Sequence, residues 1–389
     1  MSALVDIDHV VRRFDVEVNE PRLLDDVKRE LQAPDWGEHP PEIKQVGASL
    51  LEVRLEGHDA AISKLVRAVE RTGGVRIHQD RVRRARTTRK PPMQIAQPGV
   101  SVKPTVVAVV DSGIMVEHRD LKDHLWKGHS SDGREWTPGA RCIGGTLSSD
   151  IADQNGHGTR LAGTILDAAA GAPGVRLMAV KFFDPDSLPG PDNGAAAIDF
   201  ATTAEPKVDI INLSWDLGMG SSKLEEAINN ACKAGILVVI AAGNSGADND
   251  MTPAIPARYR ELCPEQIITV MATNLYNEKA SFSNYGVKTV DLAAPGVEIL
   301  ATRASMSTAP EDELDRTGFY DEYRTYSGTS AAAAFVSGMA AWLKDKHGWH
   351  AIQLKEKLCA AAKKKRSHSL ESKCITGGAL DLSDLSLIS

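Results

Sequence analysis

The first eighty residues alternate between strand-like and helix-like spacing of apolar side chains. In LLEVRLE (50–56), Leu51, Val53 and Leu55 alternate with charged residues, which is typical of a strand with one buried face. Residues 62–69 then carry apolar side chains at helical spacing, and a Gly-Gly pair ends this pattern before the short strand VRIHQ. The same order of a strand followed by a helix is predicted earlier in the chain, with a strand at VVRRFDVEV (10–18) and a helix near 23–31. We therefore predict a small β-α-β unit over residues 1–80.

The following segment, residues 81–104, reads RVRRARTTRKPPMQIAQPGVSVKP and has no apolar period, as in a linker. Over residues 105–389, apolar strands alternate with helices. The strands are TVVAVV, RLMAVK, DIINLS and ILVVIAA, and helices are predicted after His157, near 193–203 and near 222–234. Because strands this apolar have no solvent-exposed face, the pattern predicts an α/β fold with a mostly parallel sheet and helices on both of its faces.

The composition excludes several classes of protein. Apolar residues make up 42% and charged residues 25% of the chain, as in an ordinary soluble globular protein. The net charge of −7 gives no general attraction to nucleic acid, and no apolar run approaches the roughly 20 residues that span a bilayer. The N-terminal residues lack the pattern of a secretory signal. Five cysteines without a CxxC pair predict neither a disulfide framework nor a zinc site, so we expect a cytoplasmic protein.

Three segments place a reactive side chain at the end of a strand or the start of a helix. Asp111 directly follows TVVAVV, His157 lies in NGHGTRLAGTI, and Ser330 opens the Ala-rich stretch SGTSAAAAFVSGMAAW. In open α/β sheets the site lies outside the carboxyl ends of the strands, so we expect the three to converge. Taken singly, each has a structural alternative, since Asp and Ser often cap turns and helices and most histidines are structural.

Together and in this order, DSGI, NGHGT and GTS resemble the subtilase family over about residues 104–385. A fourth match, AAGNSG, places Asn244 where subtilases carry the side-chain donor of the oxyanion hole. The resemblance implies a subtilisin-like fold and a serine endopeptidase that acts on polypeptides through an acyl-enzyme, with Asp111, His157 and Ser330 as the triad and no cofactor. The alternative is a catalytically silent subtilase fold used as a binding module.

The chain departs from the family pattern at Arg160, Ala331 and Ala334, where subtilases usually have His, Met and Pro. The stretch after His157, GTRLAGTILDAAAGAPGV, also lacks the loop that binds calcium in many subtilases, so no strong calcium site is expected there. Three further histidines have spacings of six and five, which do not stack on a helix face, so we expect them at the surface rather than on a metal. They are His118, His124 and His129.

Subtilases bind peptides as an added strand, and the resemblance assigns this role to SLPGP (187–191) and NLSWDLG (212–218). Ser214, Trp215 and Asp216 would then form one wall of the primary specificity pocket, with Asn244 and the stretch near Ala254–Pro256 opposite. Many family members have glycine at the position of Asp216. Its carboxylate is either a receptor for a basic substrate side chain or a solvated loop residue.

The N-terminal unit ends in VRIHQDRVRRA, which resembles the close of a subtilase propeptide, so the resemblance implies an intramolecular inhibitor that also assists folding. A permanent accessory domain is the alternative.

Six of the ten residues in 81–90 are basic, and PEDELDRTGFYDEYR (310–324) carries six acidic residues. We expect the basic segment to dock beside this acidic rim and to be cut near Arg84–Lys90. The alternative is two solvated charge runs that never meet. Some bacterial subtilases act beside an ATPase partner, but nothing in this sequence demonstrates one.

Overall fold

In the computed structural model, the chain forms two compact units, Met1–Ser101 and Val102–Ser389. In the first, the structure describes Lys28, which is helical, and four strands. In the second, it describes residues 103–389 except 170–171, 185–188, 275, 305–322, 383 and 389.

The strands of the first unit form an antiparallel sheet in the order β2-β3-β1-β4. They are β1 (Val11–Val18), β2 (Glu42–Gln45), β3 (Leu50–Glu56) and β4 (Val75–His78). The strands predicted from alternation are confirmed, and β2 was missed because its sequence, EIKQ, has a single apolar residue. The helix predicted at 62–69 lies outside the described residues, as does the one near 23–31 apart from Lys28.

An eight-stranded sheet forms the centre of the second unit, in the order β12-β11-β10-β9-β5-β8-β6-β7. Seven strands run parallel, and β7 pairs antiparallel with β6 at one edge. The mostly parallel sheet predicted from the apolar strands is therefore confirmed. The strands are β5 (Thr105–Asp111), β6 (Gly139–Ile143), β7 (Thr146–Ser148), β8 (Val175–Lys181), β9 (Ile210–Leu213), β10 (Leu237–Ala241), β11 (Ile267–Thr273) and β12 (Leu292–Pro295).

Helices cover both faces of this sheet, and β13 (Ile299–Thr302) and β14 (Tyr323–Tyr326) form a separate two-stranded antiparallel sheet. Two short 3-10 helices span Lys122–His124 and Ala257–Leu262. The α-helices are α1 (His157–Ala168), α2 (Pro191–Thr203), α3 (Ser222–Lys233), α4 (Thr329–His347), α5 (Ala351–Lys364) and α6 (Asp384–Ile388). The helices predicted after His157, near 193–203 and near 222–234 are α1, α2 and α3.

The strand β5 shows why these sequences are continuously apolar. Val107 and Val109 face one core cluster, which includes residues of α1, α4 and α5. Val106 and Val110 face a second cluster, which includes residues of α2 and α3. Both faces of the strand are thus buried, and burial of each valine side chain stabilises the fold by roughly 1.5–3 kcal/mol.

The helix α4 is buried along most of its length, and its small residues let α1 approach closely. A Cβ on Gly338 would overlap the carbonyl oxygen of Ile165 and the methyl of Ala168. The Ala-rich sequence after Ser330 therefore serves close helix packing, with Ala331 and Ala334 fully buried. This packing fixes α4, which begins next to Ser330, relative to α1, which begins at His157.

Two expectations about individual residues are wrong. Cys232 and Cys263 form a disulfide with a Cα–Cα distance of 6.5 Å, whereas the cysteine pattern predicted none. Cys232 lies in the last turn of α3 and Cys263 lies shortly before β11, so the order of the strands rather than spacing along the chain brings them together. Cys142, Cys359 and Cys374 are free.

The second correction concerns His118, which is buried and packs edge-on against Tyr323 with a centroid distance of 5.8 Å. Of the three histidines expected at the surface, His124 is half-buried and His129 is exposed. No helix among the described residues is both long enough and apolar enough to cross a membrane.

Candidate active site

Asp111 and His157 meet at the carboxyl end of β5. The fully buried Asp111 Oδ1 lies 2.9 Å from His157 Nδ1, and it also accepts a hydrogen bond from Ser112 N at 2.8 Å. This approach depends on Gly158, because a Cβ there would overlap the carbonyl oxygen of Gly113 in the loop after β5. The expectation that strand ends bring reactive side chains together therefore holds for this pair.

A second carboxylate holds the start of α1 in place. Asp153 Oδ1 accepts hydrogen bonds from Ser112 Oγ at 2.8 Å and Gly156 N at 2.7 Å, and its Oδ2 accepts from Thr159 N at 2.8 Å and Thr159 Oγ1 at 2.5 Å. The Ser112 hydroxyl in turn accepts from Gly158 N at 3.0 Å. The first-turn N–H groups of α1 are thereby satisfied by side chains, and the helix is tied to the loop that carries Asp111.

The electrostatic surroundings of His157 favour its protonated form. Burial lowers the pKa of this imidazole, but the charge of Asp111 and the hydrogen bond to it raise the pKa by more, so the net shift is upward from 6.5. Asp153 adds to this increase, and the guanidinium of Arg160 opposes it. Arg160, which stands where subtilases usually have His, donates from Nε to the carbonyl oxygen of Gly156 at 3.0 Å.

Ser330 lies in the first turn of α4 and is 8% exposed. Its Oγ donates a hydrogen bond to the carbonyl oxygen of Ser214 at 3.0 Å, and Ser214 Oγ donates to the carbonyl oxygen of Ser330 at 3.1 Å. Among the described residues, no hydrogen bond joins Ser330 to His157. The structure thus shows Ser330 bound to the segment after β9, while Asp111 and His157 form a separate hydrogen-bonded pair.

Asn244 lies beyond the end of β10 with an exposed side chain. Its Oδ1 accepts hydrogen bonds from Thr329 N at 2.8 Å and Thr329 Oγ1 at 3.0 Å, and Thr329 Oγ1 accepts from Gly243 N at 3.1 Å. Since Oδ1 is engaged, the free donor is Nδ2. A Cβ on Gly328 would lie 3.6 Å from both this Nδ2 and the Ser330 N, so the two N–H donors border the same small space.

The segments predicted to bind substrate are described in part. Ser214 is buried, and Trp215 turns into the core, donating from Nε1 to the carbonyl oxygen of Val110 at 2.8 Å. Asp216 is exposed, and its Oδ1 accepts from Gly218 N at 3.0 Å and Ile255 N at 3.2 Å. One carboxylate oxygen therefore joins the segment after β9 to the segment that contains Ala254.

Several expectations fall on residues that the structure does not describe. These are Ser187 and Leu188 of SLPGP, the basic run 81–90, and all of the acidic run but Tyr323 and Arg324. Within the described part of the chain, no three His, Cys, Asp or Glu side chains gather into a group able to hold a metal ion.

Sequence reasoning missed Asp153 and Thr329, which position the candidate residues. A signal exists for Asp153, because an Asp four residues before His157 and just ahead of a predicted helix is typical of helix capping. For Thr329, the resemblance singled out the motif GTS but gave a role only to its serine. The partner of Thr329 lies 85 residues earlier in the chain, so spacing gives no indication of it.

Comparison with known proteins agrees with the fold. Residues 103–377 match the model of the subtilase family of peptidases. The chain belongs to the subtilase family.

Individual relatives support this assignment. The chain is 35% identical over 259 residues to the major intracellular serine protease of Bacillus subtilis, which covers 63% of this chain and 70% of that protein. It is 34% identical over 259 residues to alkaline elastase YaB of a Bacillus species, covering 65% of this chain and 57% of the relative. The match therefore spans between just over half and about seven-tenths of these two relatives' length. Among solved structures, a protease of Pseudoalteromonas arctica superposes with a TM-score of 0.56 at 26% identity, covering 73% of this chain and 90% of that one.

Proposed function

We propose that this chain is a serine endopeptidase that hydrolyses peptide bonds through an acyl-enzyme. The observation that carries the proposal is the hydrogen bond between His157 and the buried Asp111, because it fixes one tautomer and leaves Nε2 to act as a base. Membership of the subtilase family supports the same chemistry, since the relatives named above are a serine protease and an elastase.

In this reaction the Ser330 hydroxyl attacks the carbonyl carbon of the substrate while His157 Nε2 takes its proton. The hydroxyl must first turn from the carbonyl oxygen of Ser214 toward His157. The tetrahedral intermediate carries an oxyanion, which Asn244 Nδ2 and Ser330 N would stabilise. His157 then returns the proton to the leaving amine. Water, activated by the same imidazole, hydrolyses the ester and releases Ser330.

A fluorophosphonate probe tests this proposal, because it labels only a serine that a neighbouring base activates. We expect the wild-type chain to be labelled and Ser330→Ala to remain unlabelled. Asp111→Asn is expected to slow labelling strongly, since it stabilises the wrong tautomer of His157. A folded wild-type chain that takes no label would instead favour the silent binding module.

The N-terminal unit is proposed to act as an intramolecular inhibitor and to be removed by cleavage near Arg84–Lys90. Support comes from the basic composition of this segment and from the resemblance of residues 1–80 to a propeptide. The test is N-terminal sequencing of the purified protein, with Ser330→Ala as a control that cannot cut itself. A mature N-terminus elsewhere, or the same terminus in Ser330→Ala, would contradict self-cleavage at this place.

A further inference from the structure

The proposed oxyanion donor, Asn244, lies in a loop whose shape depends on a buried amide from another part of the chain. Asn284 is 1% exposed and lies between β11 and β12, 40 residues after Asn244. Its Oδ1 accepts hydrogen bonds from Ser245 N at 3.0 Å, Ser245 Oγ at 2.9 Å and Ala247 N at 3.0 Å. Because two of these donors are backbone N–H groups, the acceptor must be the oxygen, which fixes the orientation of the amide.

Two further N–H donors of Asn284 bind the same part of the chain. Its backbone N donates to the carbonyl oxygen of Gly243 at 2.9 Å, so Asn284 contacts the residues on both sides of Asn244. Its Nδ2 donates to Asn249 Oδ1 at 3.0 Å, and Asn249 Nδ2 donates to the carbonyl oxygen of Ala242 at 2.8 Å. Both amides are buried, and each hydrogen bond that they make replaces one to water.

The backbone at Gly243 is shaped around this amide. Gly243 has a φ of +106°, a backbone conformation that residues other than glycine rarely adopt. A Cβ there would also overlap Asn284 Nδ2. The loop on the other side is held by Thr329, which binds both Gly243 N and Asn244 Oδ1. Asn244 is therefore positioned by two parts of the chain. Thr329 in the first turn of α4 binds its side chain, and Asn284 binds the residues on both sides of it.

We infer that Asn284 is a positioning residue for the oxyanion hole: it orients the loop Gly243–Ala247 so that Asn244 Nδ2 points at the developing charge. This inference rests on the proposed function. Loss of an oxyanion-hole donor lowers kcat by roughly 10²–10³-fold, a magnitude known from subtilisin itself. A displacement on the order of 1 Å costs up to about 10²-fold, so we expect Asn284→Ala to lower kcat by about 10- to 100-fold with KM little changed.

A double-mutant cycle distinguishes positioning from general stability. If Asn284 acts through Asn244, then Asn244→Ala/Asn284→Ala should have a kcat within about twofold of Asn244→Ala alone. Asn284→Asp keeps an acceptor for the N–H groups of Ser245 and Ala247, and we expect it to retain more turnover than Asn284→Ala. It also serves as the second single variant if Asn284→Ala does not fold.

The matched control is Thr376→Val, which removes a buried hydrogen bond to the carbonyl oxygen of Gly378 without touching this loop. We expect this control to lower the melting temperature without lowering kcat at 25 °C. If Asn244→Ala leaves kcat unchanged, the oxyanion-hole assignment fails and the inference fails with it. Suppose instead that Asn244→Ala lowers kcat and that the double variant shows the product of the two single losses. The two residues then act independently, and the inference alone is overturned.

Discussion

Ser330 and Ser214 exchange hydrogen bonds in both directions, hydroxyl to carbonyl each way, at 3.0 and 3.1 Å. This exchange joins the first turn of α4 to the end of β9, and Asn212 Nδ2 supports it by donating to Ser214 Oγ at 2.9 Å. The hydroxyl of the proposed nucleophile thus donates to a backbone carbonyl oxygen, and the bond made by Ser214 Oγ does not need the Ser330 hydroxyl.

Ser330→Ala removes only one of these two bonds, so we expect a folded protein whose free energy of unfolding falls by about 1 kcal/mol. Hydrolysis of casein should nevertheless be lost. His157→Ala should lose activity to a similar extent, because a nucleophile and its base act as one unit. Circular dichroism melts and casein assays on both variants check this. Substantial turnover in purified Ser330→Ala would contradict the assignment.

The acid side of the pH profile should respond to Arg160. The base must be neutral, so kcat/KM should rise with pH through the pKa of His157, which lies above 6.5. Since the guanidinium of Arg160 lowers this pKa, Arg160→Gln should raise it and move the acid limb to higher pH. Arg160→Lys keeps the charge and is the control. If the acid limb of kcat/KM in Arg160→Gln stays at the wild-type pH or moves to lower pH, this charge does not lower the pKa of His157.

Chelation should have little effect on thermal stability. The stretch after His157 lacks a ligand-rich loop, and an ion that does not bind cannot stabilise the folded state. We expect equal melting temperatures with EDTA and with added calcium. A large decrease in EDTA would reveal a cation site in another part of the chain.

The disulfide gives a test of the cytoplasmic expectation. Cys232 and Cys263 are 31 residues apart, and closing a loop of that length stabilises by at most roughly 3–4 kcal/mol in the chain-entropy model. For oxidised protein we expect three titratable thiols in denaturant and a lower melting temperature after reduction. Cys232→Ser should show no such decrease. Five thiols and no response to reductant would mean that the pair stays reduced, as in a cytoplasm.

The sequence predicted features that depend on local pattern and on recurring motifs. The valines of β5 are buried on both faces, and this is visible as an unbroken apolar run followed by Asp111. The contact of Asp111 with His157 followed from the rule for strand ends. The Cys232–Cys263 pair and the support of Asn244 by Asn284 depend instead on which strands are neighbours. Strand order is a property of the packed sheet, so spacing along the chain carries no signal for these contacts.

The contact of Asp216 with Ile255 is another that spacing along the chain does not predict, and it leads to a prediction about specificity. One of the two roles considered from the sequence was that its carboxylate receives a basic substrate side chain, and the structure shows that Oδ1 accepts from Gly218 N and Ile255 N. The two roles are compatible, because Oδ1 joins the two segments while the negative charge remains on an exposed side chain. They respond differently to substitution. Asparagine keeps an Oδ1 acceptor and removes the charge, whereas glycine removes both.

We therefore expect Asp216→Asn to keep the wild-type melting temperature but to lose the preference for Arg or Lys before the scissile bond. Asp216→Gly should lose this preference and also up to about 1 kcal/mol of stability for each hydrogen bond removed. Peptide-library profiles and thermal melts of both variants provide the measurement. If Asp216→Asn cleaves after basic residues as the wild type does, the charge plays no part in specificity. The carboxylate then serves only to hold the segment after β9 against Ile255.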